Sequence, residues 1–193
     1  MDEGLRAELI RWIGEDDETR ERLARGGSLF AGYHPEMEAV HRRNAARLRE
    51  VLARVGWPGR ALVGVDGASA AWRIVQHAIG ESVLLRGCLP LLQAAAAEGE
   101  AEPAEVAMLE DRIRVSEGRP QRYGTQYDWS DDGTAMVPMV GVEAPESLPE
   151  RRTAVGLPPM VWRHPPPPGA LPPADRAARQ AEMEAWARRV GWR

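Results

Sequence analysis

Pro35-Glu36-Met37-Glu38-Ala39-Val40-His41-Arg42-Arg43-Asn44-Ala45-Ala46-Arg47-Leu48-Arg49-Glu50-Val51-Leu52-Ala53-Arg54-Val55 is the stretch that decides the fold class. Met37, Val40, Leu48, Val51, Leu52 and Val55 recur at helical spacing. A proline opens the segment where its missing N–H costs no helical bond, and Gly56-Trp57-Pro58-Gly59 closes it. At about 100° per residue, His41 and Asn44 fall on the same stripe as Met37, Leu48 and Val55, the face that meets a core. Polar side chains on that face need partners. They either tie helices together as satisfied core groups or point into a polar pocket.

The helical texture extends in both directions. Upstream, Leu5, Leu9, Ile10, Trp12, Ile13 and Leu23 predict one broken helix or two short ones over residues 5–23. Asp16 or Asp17 is placed to restart it after Gly14, and Gly26-Gly27 ends it. Downstream, a third helix is expected from 67 to 79 with Asp66 as N-cap. A fourth, 81–97, is apolar nearly all round and bent by Pro90. A fifth, 103–116, stops at Gly118. Two β-prone runs follow, 122–129 and 134–140, and Ser130-Asp131-Asp132-Gly133 between them reads as a hairpin turn. Residues 149–155 make one or two helical turns, and Pro165-Pro166-Pro167-Pro168 is a stiff spacer. Ala177, Met183, Trp186, Ala187 and Val190 mark a last amphipathic helix.

The expected fold is therefore mainly α: a bundle of about five helices, a small β-hairpin after the fifth, and a C-terminal helix on a Pro-rich linker. The expected domain is 1–159, followed by a linker over 160–173 and the final helix over 174–193. At 193 residues, one real core with an appendage fits better than two full domains. There is no internal repeat.

All 25 cations are arginine, because the chain contains no lysine. This removes Schiff-base chemistry, pyridoxal-phosphate attachment and a P-loop lysine. The bias also matches what a GC-rich bacterial genome produces, so it does not count by itself as a sign of function. The single cysteine, Cys88, lies in an apolar segment and reads as a buried, inert thiol. A net charge of -4 argues against a nucleic-acid partner. No apolar run approaches the ~20 residues of a membrane span, and the acidic start reads as a helix, not a leader. The expected location is the cytoplasm, with no membrane partner and no organic cofactor.

Several positions are suited to chemistry. Ser69, Arg73, Gln76 and Gly80 form the polar stripe of the third helix, with His77 at its edge beside Ala70 and Ile74. A semi-buried histidine there suits proton transfer, or simply bonds a neighbouring helix. On the fifth helix Arg112 falls between Leu109 and Met108 and needs a carboxylate or an anionic ligand. Gln121-Arg122-Tyr123-Gly124-Thr125-Gln126 gathers directional donors and acceptors around one glycine. His34, His41 and His77 show no HExxH or other local metal-ligand spacing, so no metal ligand is assigned. No Gly-x-Ser-x-Gly elbow is present.

His41-x-x-Asn44, Gly56-Trp57-Pro58, Trp72 with Gln76-His77-Ala78, Asp111-Arg112, Gln121-x-Tyr123-Gly124-Thr125-Gln126 and Arg151-Arg152 before Gly156-Leu157-Pro158 form an ordered set. Together, over about residues 5–159, they resemble a bacterial family of unknown function (DUF6624-like). The resemblance carries no reaction. It implies joint use of the polar residues in the set and makes the tail from Trp162 an extension.

The expectation is a small soluble enzyme that acts on a polar, anionic small molecule by acid/base chemistry. His77, His41 and Asp111 are the candidate catalytic groups. Arg112 and Arg122 would clamp the anion, with Tyr123, Gln126, Gln76 and Asn44 orienting it. The alternative is a non-catalytic module that binds a ligand or a protein, or a polar network that only fastens the hairpin. A homodimer through the C-terminal helix is a further expectation.

Overall fold

Leu5, Leu9, Trp12, Ile13, Asp16 and Leu23 are the buried positions of α1 (Glu3–Arg25), one uninterrupted helix in the computed structural model. The structure describes residues 1–30 and 32–193, apart from the side chain of Phe30. The break expected at Gly14 is absent. A glycine inside a helix costs about 1 kcal/mol relative to alanine. Burying Leu9 and Ile13 before it and Leu23 after it contributes roughly 1.5–3 kcal/mol each, so the stripe carries the helix through. Asp2 caps the N-terminus, its carboxylate accepting from the Leu5 N–H at 2.9 Å.

After a short 3-10 turn at Ser28–Phe30, α2 covers Pro35–Val55 as its periodicity dictates, with the His34 ring capping its first turn. α3 (Arg60–His77) starts earlier than expected and is interrupted at Gly64, which has φ 73° and ψ 173°. The left-handed φ is open to glycine at little steric cost and lets one turn around buried Val63 precede the main helix. Asp66 therefore sits inside the first turn of the main segment. Its carboxylate takes the Gly67 N–H and a two-pronged pair from Arg6 of α1 at 2.8 and 2.6 Å. α4 (Ser82–Ala97) continues past Pro90, and Leu84, Leu85, Cys88 and Leu92 face inward.

The chain divides into two units, Met1–Val106 and Ala107–Arg193, with the boundary inside α5 (Pro103–Ser116). In the first unit α1 packs on α3 and α2, and α3 also meets α2 and α4. In the second unit β1 (Tyr127–Trp129) and β2 (Met136–Pro138) pair antiparallel, with Asp128 opposite Val137. α6 spans Leu148–Ala154 and α7 spans Arg176–Arg189. α7 docks within its own unit: Arg176 donates to the Ser130 and Trp129 carbonyls at 2.6 and 3.3 Å, and Arg179 pairs with Asp128 at 3.2 Å. Among the described residues, seven α-helices with a hairpin after the fifth and a helix at the C-terminus make the protein mainly α. Among the described residues no helix is long and apolar enough to cross a membrane.

Candidate functional site

Three helices of the first unit bring one carboxylate and two imidazoles together. Asp16 lies on the buried stripe of α1 and is 1% exposed. His41 comes from the core-facing stripe of α2 and His77 is the last residue of α3. Asp16 Oδ2 is 3.0 Å from His41 Nε2 and 3.1 Å from His77 Nδ1. The two rings are 5.5 Å apart and tilted by 46°. On its far side, His41 Nδ1 is 2.8 Å from the Tyr33 hydroxyl.

Two atoms of this group are buried without a directed hydrogen bond among the described residues, Asp16 Oδ1 and His41 Nε2. His41 Nε2 is thus close to the carboxylate but off the axis along which an N–H would donate. A small recess of about 10 Å³ opens beside it, lined by Tyr33 ahead of α2, by Glu38, His41 and Arg42 of α2, and by Ala78, Gly80 and Glu81 after α3.

Burial pushes the Asp16 carboxyl up, but the two imidazoles together pull it further down, well below the usual carboxylate range. Burial holds His77 below the ordinary histidine value, with Asp16 opposing that and the nearby His41 adding to it. Burial also raises the Tyr33 phenol, which keeps its proton. The group is therefore a fixed negative charge with polar nitrogen and oxygen atoms around it. Such an arrangement can pass a proton or ligate a cation.

The other first-unit candidates are engaged in packing. Asn44 Nδ2 donates to the Trp12 carbonyl at 2.9 Å and its Oδ1 accepts from Arg47 at 3.3 Å, tying α1 to α2. Gln76 is buried near the end of α3.

In the second unit Asp111, fully buried, is the centre of the 121–126 run. Its Oδ1 accepts the Arg122 and Tyr123 N–H groups at 2.7 and 3.1 Å. Its Oδ2 accepts the Thr125 N–H and hydroxyl, both at 3.0 Å. Burial pushes this carboxyl up and those bonds pull against it. Gln121 completes the loop: its Oε1 takes the Thr125 and Gln126 N–H groups, and its Nε2 donates to the Gln126 and Met139 carbonyls.

These bonds explain why β1 begins at Tyr127 and not at 122: the preceding N–H groups go to side chains instead of a ladder. The carbonyls are held from the other side by Arg152, 7% exposed, which donates to Tyr123, to Gly124 at 3.3 Å and to Pro158 at 2.7 Å. Gly124 has φ +66°, and a Cβ there would meet the Met160 Sδ and Cε at 2.7 Å. Arg122 pairs with Glu110 at 3.3 Å and Glu143 at 3.4 Å, and its guanidinium lies 5.8 Å from the Tyr123 ring. Gln126 Nε2 donates to the Thr125 hydroxyl, and Arg112 is half-buried on α5. Asp111, Tyr123, Gln126 and Arg122 thus meet as parts of one bonded loop.

Asp16 and Tyr33 were missed by the sequence reading. Asp16 carried a usable signal, since it falls on the apolar stripe of α1 with Leu9, Trp12 and Ile13, where a carboxylate requires a partner. Tyr33 lies outside any periodic segment and carried none. The spacing of the histidines assigns no metal, yet one ligand atom each from Asp16, His41 and His77 lie within 4.8 Å of one another.

No curated protein and no solved structure matches the chain. The match to a family is extensive: residues 4–163 fit the family of unknown function DUF6624, and the chain belongs to that family.

Proposed function

We propose that the protein is a small enzyme acting on a polar, anionic small molecule by acid/base chemistry, with its reacting centre at Asp16, His41 and His77. The observation that carries this reading is the single buried carboxylate approached by two imidazoles, at 3.0 and 3.1 Å. Such a carboxylate orients its partners and stabilises positive charge that develops on them. His77 is the more exposed of the two imidazoles and is the proton-transfer group. Tyr33 fixes the His41 ring, and Arg42 lines the recess beside Glu38 and Glu81, with which it pairs at 2.8 and 4.0 Å.

Asp111 and residues 121–126 favour a second role, that of a structural strut, because both oxygens of Asp111 are occupied by loop donors. The lone buried, free thiol fits a bacterial cytoplasmic setting.

The test is a thermal-shift screen of anionic metabolites followed by turnover assays on the compounds that bind. His77→Gln and Asp16→Asn are expected to abolish turnover while Asn44→Ala loses only stability. Unchanged binding and turnover in folded His77→Gln and Asp16→Asn proteins would refute the assignment.

A further inference from the structure

We infer that Asp16, His41 and His77 form a binding site for one divalent first-row transition metal ion of the zinc class. The inference deepens the reading above, resting on it only for the location of the reacting centre, and its readout does not depend on turnover.

The donor set is the first argument. Two imidazoles and one carboxylate suit zinc and its neighbours, and three protein ligands leave a position open in a catalytic site. Distance is the second. Ligand atoms around an ion with bonds of about 2.0 Å at tetrahedral angles stand about 3.3 Å apart. Two of the three edges here are 3.0 and 3.1 Å, and no edge exceeds 4.8 Å.

Direction is the third argument, and it is independent of the other two. His41 Nε2 and Asp16 Oδ1 are buried polar atoms without a directed hydrogen bond among the described residues. A buried polar group left unmet is costly, because it has lost its bonds to water and gained none in return. A cation held by Asp16 Oδ2 between the two rings satisfies His41 Nε2. The outer shell is also in place: His41 Nδ1 meets the Tyr33 hydroxyl at 2.8 Å, the kind of contact that fixes the tautomer and orientation of a ligating ring. Of the three ligands, His41 lines the small recess that ends at Gly80.

With an ion bound, His77 is a ligand, and the proton handled at the site is that of a water on the ion. The open position also accepts an anionic oxygen of a small molecule, which accords with the substrate class proposed above.

The experiment is titration of chelator-stripped full-length protein with Co2+ and Zn2+, followed by calorimetry and by the visible spectrum of the cobalt form. One equivalent is expected to bind, with a d–d band typical of nitrogen and oxygen ligands and a rise in Tm that a chelator reverses. His77→Gln and Asp16→Asn are each expected to weaken binding at least 100-fold, whereas Asp111→Asn leaves it unchanged. If His77→Gln fails to fold, the cobalt spectrum of the wild-type protein decides, since a four-coordinate imidazole and carboxylate site gives a d–d band far more intense than the weak one of the aqueous ion. Less than one equivalent at micromolar metal, or equal binding by folded ligand variants, overturns the site. Turnover by metal-free protein overturns the ion's role and leaves the acid/base reading standing. Ligand-dependent 1:1 binding with no turnover on any anion supports the site and refutes the enzyme.

Discussion

Asp16 Oδ2 meets His77 Nδ1 at 3.1 Å across a sequence separation of 61 residues. The contact joins the middle of α1 to the last residue of α3, and the same carboxylate approaches His41 of α2. Asp16→Asn keeps the shape and removes the charge. In metal-free protein it is expected to lower stability by about 1–3 kcal/mol, the usual cost of leaving a buried polar partner poorly met. Urea denaturation measures it, and a change of only a few tenths would mean the charge is not what organises the imidazoles.

Asp111→Asn tests the strut. The amide places an NH2 where Thr125 and Tyr123 donate, so the loss is expected to be about 2–4 kcal/mol, larger than that of an ordinary surface change. Hydrogen exchange at the Arg122, Tyr123 and Thr125 amides should accelerate more than at β2. Uniform acceleration across the second unit would instead indicate global loss of stability.

Gly124→Ala combines a left-handed φ with a clash. The expected cost is about 1–3 kcal/mol. Adding Met160→Ala removes the 2.7 Å contact but not the backbone strain, so the double variant should recover only part of the loss. Full recovery would show that φ contributes nothing, and no recovery that the sulfur can move aside.

The Arg6–Asp66 pair predicts a pH dependence. The two bonds from Arg6 hold the Asp66 carboxyl down at about 2, with the Gly67 N–H helping. A depressed carboxyl stabilises the fold above the unfolded value of about 3.9, and that contribution disappears as pH falls toward 2. Arg6→Gln should therefore be less stable than wild type at pH 5 and approach it at pH 2.5. Denaturant midpoints at the two pH values measure the gap, and an equal gap at both would exclude the pair as its source.

Much of the helical architecture was legible because α2 and α5 follow their apolar periodicity and end at strong stop signals. α1 misled because Gly14 is a local cue, whereas the stripe on both sides of it is buried by α2 and α3. The early start of α3 was hidden because Gly64 reads as a breaker, yet its φ lets an added turn fold ahead of the helix. The hairpin was seen but overextended, since alternation does not reveal that the N–H groups of Arg122, Tyr123, Thr125 and Gln126 bond to Asp111 and Gln121. His41, read on a core-facing stripe, is buried there and meets the Tyr33 hydroxyl. The carboxylate that meets it could be joined to it only once α1 and α2 were packed together.

Arg152 gives the lysine-free composition a different meaning. Its planar fork reaches three carbonyls, those of Tyr123, Gly124 and Pro158, from a nearly dry position. A lysine offers a compact, strongly hydrated point charge on a flexible stem and cannot reproduce that spread of donors. Whatever drift emptied the chain of lysine, a return to it at position 152 would unfasten two loops at once.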